Sequence, residues 1–257
     1  MVKKLKVAFA GSKKVGIKCL KFLKNIKGVE IIAVCVPSKK RKVWWKDVID
    51  EEEVKKLNLK IIPWEKWKNL KADLVFSVFH SYLFKKEHLK NYKYGAINLH
   101  FAPLPDLRGC NLISWAIILG MKDYGVSFHY INEGIDSGDI IDVLRFPIED
   151  NDTAFDLYKK TVKYGFLLFK KIAPLIIEEA KKGKRYNAIR QDLKKGRYFS
   201  RDSLKNKEVN LNWPREKIYN FVRGLEFPPF EPAYIKYKEK KIYLLTKFFY
   251  GKKDKIS

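Results

Sequence analysis

Residues 5–36 read LKVAFAGSKKVGIKCLKFLKNIKGVEIIAVCV, and the architecture follows from how their apolar positions are spaced. Leu5–Ala10 is a short apolar run that stops at Gly11. From Val15 to Ile26 the apolar residues Ile17, Leu20 and Leu23 recur at helical spacing with lysines between them. A second run rich in β-branched residues, Val29–Val36, follows at once. Strand, turn, helix and strand within one such length is the unit of a parallel sheet, because parallel neighbours must be joined by a crossover.

The same alternation continues outward. A basic stretch SKKRKVWWKD (38–47) leads to a charged helix expected near 50–57 and a third short strand at 59–62. Further expectations are a strand at 73–79, a helix beginning KKEHLKNY at Lys85, and a strand at 95–99. The fold class expected is α/β, a doubly wound, mostly parallel sheet. A helix is predicted over 111–119, then two adjacent strands, 125–131 and 139–146, joined by the turn NEGIDSG (132–138). The segment 152–182 reads as one long helix with Asp152 or Thr153 as its cap and a kink at Pro174. After Gly183, GKRYNAIRQDLKKGRYFSRDSLKNKE is polar and glycine-punctuated, as suits a connector over the surface. A boundary near Arg197 divides residues 1–196 from a small C-terminal α+β subdomain, 197–257, with a helix over 214–225, a Pro-rich bend FPPFEP, and strands at 233–237 and 241–246.

Composition narrows the class. With 257 residues, 46% of them hydrophobic and 14% aromatic, the chain can bury a full core, which excludes a disordered protein. The longest apolar runs, 164–169 and 172–177, are split by Lys170 and Lys171 and fall far short of the ~20 residues that span a bilayer. The N-terminus has too short an apolar centre for a signal peptide, so the expected location is cytoplasmic. Cys19, Cys35 and Cys110 are odd in number and widely spaced, and His80, His88, His100 and His129 show no paired helical spacing; neither a disulfide framework nor a metal site is expected. The net charge of +25 would attract nucleic acid or nucleotide phosphates, yet the lysines are spread through nearly every predicted helix, which reads as composition.

The turn GSKKVG (11–16) invites a dinucleotide reading, but it lacks the GxGxxG pattern and Val36 and Pro37 stand where an acidic residue would be needed. Chemistry points instead to INLHFAPLPDLRG (97–109), in which an apolar strand ends in Asn98 and His100. Two residues apart on a strand, both side chains lie on one face, at the strand end where open α/β sheets bind ligands. GIDSGD places Asp136 between Gly134 and Gly138, 36 positions after His100 (136 − 100), where it reads equally as an ordinary turn residue.

Together NLHFAPLPDLRGCN, GVSFHYINEGIDSGDII and the helix after DNDTAFDLY resemble the formyltransferases that use 10-formyltetrahydrofolate, with an Asn-x-His strand end, an LPxxRG loop and a downstream D-S/T-G turn. The resemblance runs from Val7 to about Ile177. It implies that Asn98, His100 and Asp136 are the catalytic residues and that 10-formyltetrahydrofolate is the formyl donor. It also implies a pterin slot lined by the loop VFHSYLF at His80, Ser81, Tyr82 and Leu83, and by Ile135 and Ser137 beside Asp136. Ala102 and Pro103 depart from the transfer-RNA branch, which has serine and leucine there and a longer C-terminal barrel. The tail NWPREKIYNFVRGLEFPPFEPAYI is similar to that of sugar N-formyltransferases, whose acceptors are nucleotide-linked 3-amino or 4-amino deoxysugars. In that reading Arg108, Gly109, Arg223, Phe227 and Tyr234 contact the acceptor, and a homodimer through the C-terminal region is expected. Two other readings stand beside it: formylation of methionyl-tRNA, favoured by the charge, and a noncatalytic RNA-binding protein, for which KKRK with Trp44 and Trp45 is the one basic and aromatic cluster.

Overall fold

The computed structural model describes residues 4–36, 51–80 and 82–246. The expectations for the stretch containing Trp44 and Trp45, and for Ser81, lie outside these residues.

The opening unit is β1 (Leu5–Gly11), α1 (Lys14–Lys24) and β2 (Val29–Cys35). Six of the seven β1 residues are buried, as befits a strand covered on both faces, while α1 turns Val15, Ile17, Cys19, Leu20 and Leu23 inward. Next come α2 (Glu51–Lys55), a 3-10 turn at Trp64–Asn69, β3 (Leu74–Val78), the single-turn α3 (Lys86–Leu89) and β4 (Ala96–His100). The short β5 (Leu107–Gly109) and α4 (Leu112–Ile118) lead to β6 (Asp123–Tyr130) and β7 (Ile140–Pro147). The long α5 (Ala154–Lys181), β8 (Arg197–Phe199), α6 (Arg215–Leu225), β9 (Tyr234–Tyr237) and β10 (Lys240–Tyr243) complete the chain.

Among the described residues one six-stranded sheet has the order β2-β1-β3-β4-β6-β7. The first four strands are parallel and β7 runs the same way, while β6 lies between β4 and β7 antiparallel to both, so the expected mostly parallel α/β fold is the observed one. The expected strand at 59–62 is reduced to one bridge, Ile61 to Val34, with Val34 N donating to Lys60 O and Ile62 N to Val34 O. No helix among the described residues is long and apolar enough to cross a membrane.

The two sheet faces differ in what covers them. One carries Val7, Phe9, Leu74, Phe76, Ile97, Leu99, Val126 and Phe128 and packs against α1 and α5 in the main core. The other carries Ala8, Ala10, Ala33, Val75 and Ala96, small side chains that admit Trp67, Phe84 and Tyr92. Strand periodicity places Asn98, His100, Ser127 and His129 on this second face. Thr153 caps α5: its Oγ1 accepts from the Asp156 amide at 3.2 Å and the Asp156 carboxylate accepts from the Thr153 amide at 3.3 Å. Pro174 lies inside α5 without ending it, and the carbonyl it leaves without an amide donor belongs to Lys170 on the exposed side.

Phe101, the residue after β4, stacks on Phe79 with ring centres 3.6 Å apart and lies against Gly165 of α5. A Cβ at residue 165 would stand 2.7 Å from the Phe101 ring, whose face is already stacked on Phe79. Gly165→Ala is therefore expected to lower the free energy of unfolding by about 1–3 kcal/mol, the usual cost of overpacking, despite alanine's better helix propensity. Urea unfolding checks this; an unchanged or raised midpoint would show that Phe101 yields freely.

Candidate active site

Asn98 and His100 end β4, and the antiparallel neighbour β6 sets His129 opposite Asn98 and Ser127 opposite His100. Four polar side chains thus share a patch of the small-residue face. Ser127 is used locally: its hydroxyl donates to Ala102 O at 2.8 Å and accepts from the Leu104 amide at 2.9 Å, which fixes the chain after His100.

Because β6 runs against β4, its last residue, Tyr130, lies opposite Ile97, toward the start of β4. The following turn must fold back along the sheet face to reach His100. Asn132 shapes it by accepting from the Gly134 amide at 3.1 Å and the Ser137 hydroxyl at 2.7 Å. Asp136 adopts the left-handed conformation with φ 48°, and its Oδ1 comes to 3.4 Å from His100 Nδ1. Its other oxygen accepts from the Gly109 amide at 3.1 Å. The tight hairpin expected from NEGIDSG is thus a turn that arches over the sheet and delivers a carboxylate.

The ring nitrogens of His100 face two acceptors, the Asp136 carboxylate at Nδ1 and Leu107 O at 3.1 Å from Nε2. A ring that carries hydrogens on both nitrogens satisfies both. His129 is arranged for the opposite state. Its Nδ1 donates to Tyr130 O at 2.8 Å, leaving Nε2 to accept from the Asn98 amide at 3.2 Å. Burial, and then the charge of His100, push its pKa down to about 4, with Asp136, 3.8 Å from Nε2, opposing. A neutral His129 therefore holds the Asn98 amide by one N–H and leaves the second N–H free of that bond. Sequence reading missed His129, although its period-2 spacing from Ser127 in GVSFHYI was available; the cross-strand register that pairs it with Asn98 was not.

Other expected site residues fall into two groups. Trp64 lies 4.8 Å from His80 and stacks on Tyr82 at 5.4 Å, so the loop after β3 is built on an aromatic platform. Leu83, 68% exposed, and Ile135, 42% exposed, are apolar side chains presented to solvent on the two loops. Ser137 serves the turn. Arg108 donates to Leu193 O at 3.3 Å, and Gly109 uses its amide on Asp136.

The three C-terminal residues belong to packing. Arg223 is buried; its guanidinium donates to Asn220 Oδ1 at 2.8 Å, Glu149 O at 3.2 Å and Asp152 O at 3.0 Å. It ties α6 to the start of α5. Phe227 packs its ring edge against Phe155 and Tyr158, and Tyr234 is buried in the β9–β10 unit with the Lys241 ammonium 4.1 Å above its ring. Among the described residues, no group of three or more His, Cys, Asp or Glu is placed to hold a metal ion.

The model of a family described as formyl transferase matches residues 46–170, which include the strand end, the loop and the turn just described. Over these residues the chain is similar to that family. The chain is 30% identical, over 176 residues, to a GDP-perosamine N-formyltransferase of Brucella melitensis, covering 68% of this chain and 65% of that one. It is 34% identical over 173 residues to a methionyl-tRNA formyltransferase of Bacillus cytotoxicus, covering 66% of this chain and 52% of that one. The match thus spans less than two thirds of either relative. Among solved structures, an N-formyltransferase of Helicobacter canadensis in complex with folinic acid and dTDP-3-aminofucose superposes with a TM-score of 0.75 at 28% identity, covering 94% of this chain and 86% of that one.

Since burial holds the pKa of His129 down at about 4 in the folded protein while it titrates near its ordinary 6.5 when unfolded, the unfolded chain binds a proton between about pH 6.5 and 4 that the native one does not. Stability is lost as pH falls through that window, by up to ~1.4 kcal/mol per pH unit from this group. In urea unfolding across this range, His129→Gln should show a shallower dependence than the parent protein. Equal slopes would mean that His129 is charged in the fold.

Proposed function

We propose that the protein transfers a formyl group from 10-formyltetrahydrofolate to the primary amine of a nucleotide-linked amino sugar. The observation that carries this reading is the convergence of the Asn98 amide, the His100 ring and the Asp136 carboxylate on one patch of the sheet. The exposed apolar side chains of Leu83 and Ile135 and the aromatic platform under Tyr82 suit a flat pterin ring, and His80, Tyr82 and the 135–137 turn are the residues that would hold it.

In this reaction a nitrogen–carbon bond forms between amine and formyl carbon, and the bond from that carbon to the folate nitrogen breaks. One proton leaves the amine and one arrives at the departing nitrogen. Negative charge develops on the formyl oxygen, where the Asn98 amide supplies an N–H donor fixed in advance by His129, and where the His100 ring donates once its Nε2–H exchanges Leu107 O for that oxygen. Asp136 lies where a proton relay with His100 or water needs an acceptor. The cytoplasm, where reduced folates and nucleotide sugars serve as substrates, is the proposed location.

The Helicobacter canadensis neighbour, in complex with a dTDP-amino sugar and covered over 86% of its length, favours the sugar acceptor. The 34% identity to a methionyl-tRNA formyltransferase supports a second reading, transfer to aminoacylated tRNA. Incubating the purified protein with 10-formyltetrahydrofolate and, separately, dTDP-linked 3-amino or 4-amino sugars or methionyl-tRNA decides between them. Formyl sugar is the expected product, and turnover with the tRNA alone would overturn the choice of acceptor. Asn98→Ala and His100→Ala should each lose at least ~100-fold in kcat, the scale of removing an oxyanion donor, with thermal unfolding intact. Near-normal turnover in both would refute the roles given to them.

A further inference from the structure

The connector between α5 and α6 does more than cross the surface. Residues 189–199 are fastened to the site at four places. Ile189 and Ile140 exchange backbone hydrogen bonds of 2.8 Å each at the foot of β7. Leu193 O accepts from Arg108. Strand β8 pairs in parallel with β5, with Arg197 N donating to Asp106 O and Cys110 N to Phe199 O, both at 2.8 Å. Gly196 presses so closely on the backbone of Pro105 that a Cβ there would stand 1.7 Å from the Pro105 oxygen.

The fourth fastening is a side chain. Gln191 is buried at 7% exposure, while its neighbours Arg190 and Asp192 are exposed. Its Nε2 donates to the carbonyl of Asp136 at 3.0 Å and to that of Gly138. The first carbonyl belongs to the residue whose carboxylate meets His100 and the second lies two residues on, in a turn held in the left-handed conformation at Asp136. An amide nitrogen that donates both hydrogens to carbonyls two residues apart fixes the local path of the chain.

We infer that Gln191 is a positioning residue of the formyl-transfer site, which clamps the 136–138 turn from outside so that the Asp136 carboxylate stays between His100 and the Gly109 amide. It rests on the formyl-transfer reading for its kinetic consequence but not for its structural one. The titratable groups facing His100 are Asp136 from the turn and His129 from β6, and Gln191 governs only the first.

The test compares the full-length protein with Gln191→Met, which keeps size and removes both donors, and Gln191→Glu, which keeps shape and sets a carboxylate against the two carbonyls. Both leave the backbone ties of the connector in place. The Gly109 amide proton, hydrogen-bonded to Asp136, is the spectroscopic reporter: in both variants it should move upfield and exchange faster with solvent. In formyl transfer kcat should fall by about 100-fold, the scale of an ångström-sized misplacement of a catalytic group, while KM for the amine stays within about threefold. A purely structural role would lower the melting temperature and leave the Gly109 signal where it was. An unmoved Gly109 amide in Gln191→Met would overturn the inference, whether or not the parent protein transfers formyl groups; a displaced signal with undiminished kcat would overturn its catalytic part.

Discussion

Everything at this site depends on one carboxylate being carried over a sheet face and held there. Asp136 accepts from the Gly109 amide with one oxygen and faces His100 and His129 with the other. Those contacts join three separate pieces of chain: the end of β4 and the strand beside it, the loop after β4, and the turn between β6 and β7. In a setting as enclosed as this one, a charged group left without such partners would cost several kcal/mol, so the turn and the loop are stable only together. The two histidines answer that charge differently. One faces acceptors on both nitrogens, whereas the other is driven neutral by burial and acts as an acceptor for the Asn98 amide.

The reversal of strand direction at β6 makes room for this arrangement. A fifth parallel strand would need a crossover, which would cover the face that Asn98 and His100 occupy. An antiparallel strand instead places a short turn at that face and aligns His129 with Asn98. The same face carries alanines in β1, β2 and β4, so ring systems from the 64–67 and 80–92 segments can approach the sheet closely. Packing and chemistry here share one cause, small side chains on alternate positions of neighbouring strands.

Much of this was legible in the sequence, and what was not has a physical reason. Strand periodicity alone places Asn98 and His100 side by side, and the β-α-β spacing of residues 5–36 yields the sheet. Asp136 was identifiable only through a resemblance, since a glycine-flanked aspartate is an ordinary turn residue and local sequence does not say which way a turn folds. His129 is missed because its role exists only in the register between two strands. Gln191 is hidden in a polar run whose composition gives no sign of which side chain points inward. Arg223 looks like an anion ligand because guanidinium groups suit phosphate, yet backbone carbonyls at a helix start accept from the same fork.

The parallel pairing of β8 with β5 bears on what counts as a self-sufficient catalytic unit. A fragment cut at the close of α5 would retain the amide, both imidazoles and the carboxylate, together with the whole six-stranded sheet. It would lack the eleven or so residues that pin the loop and the turn against each other from outside. The smallest piece expected to keep its reactive groups aligned therefore extends through Phe199, some eighteen positions past the last turn of that helix.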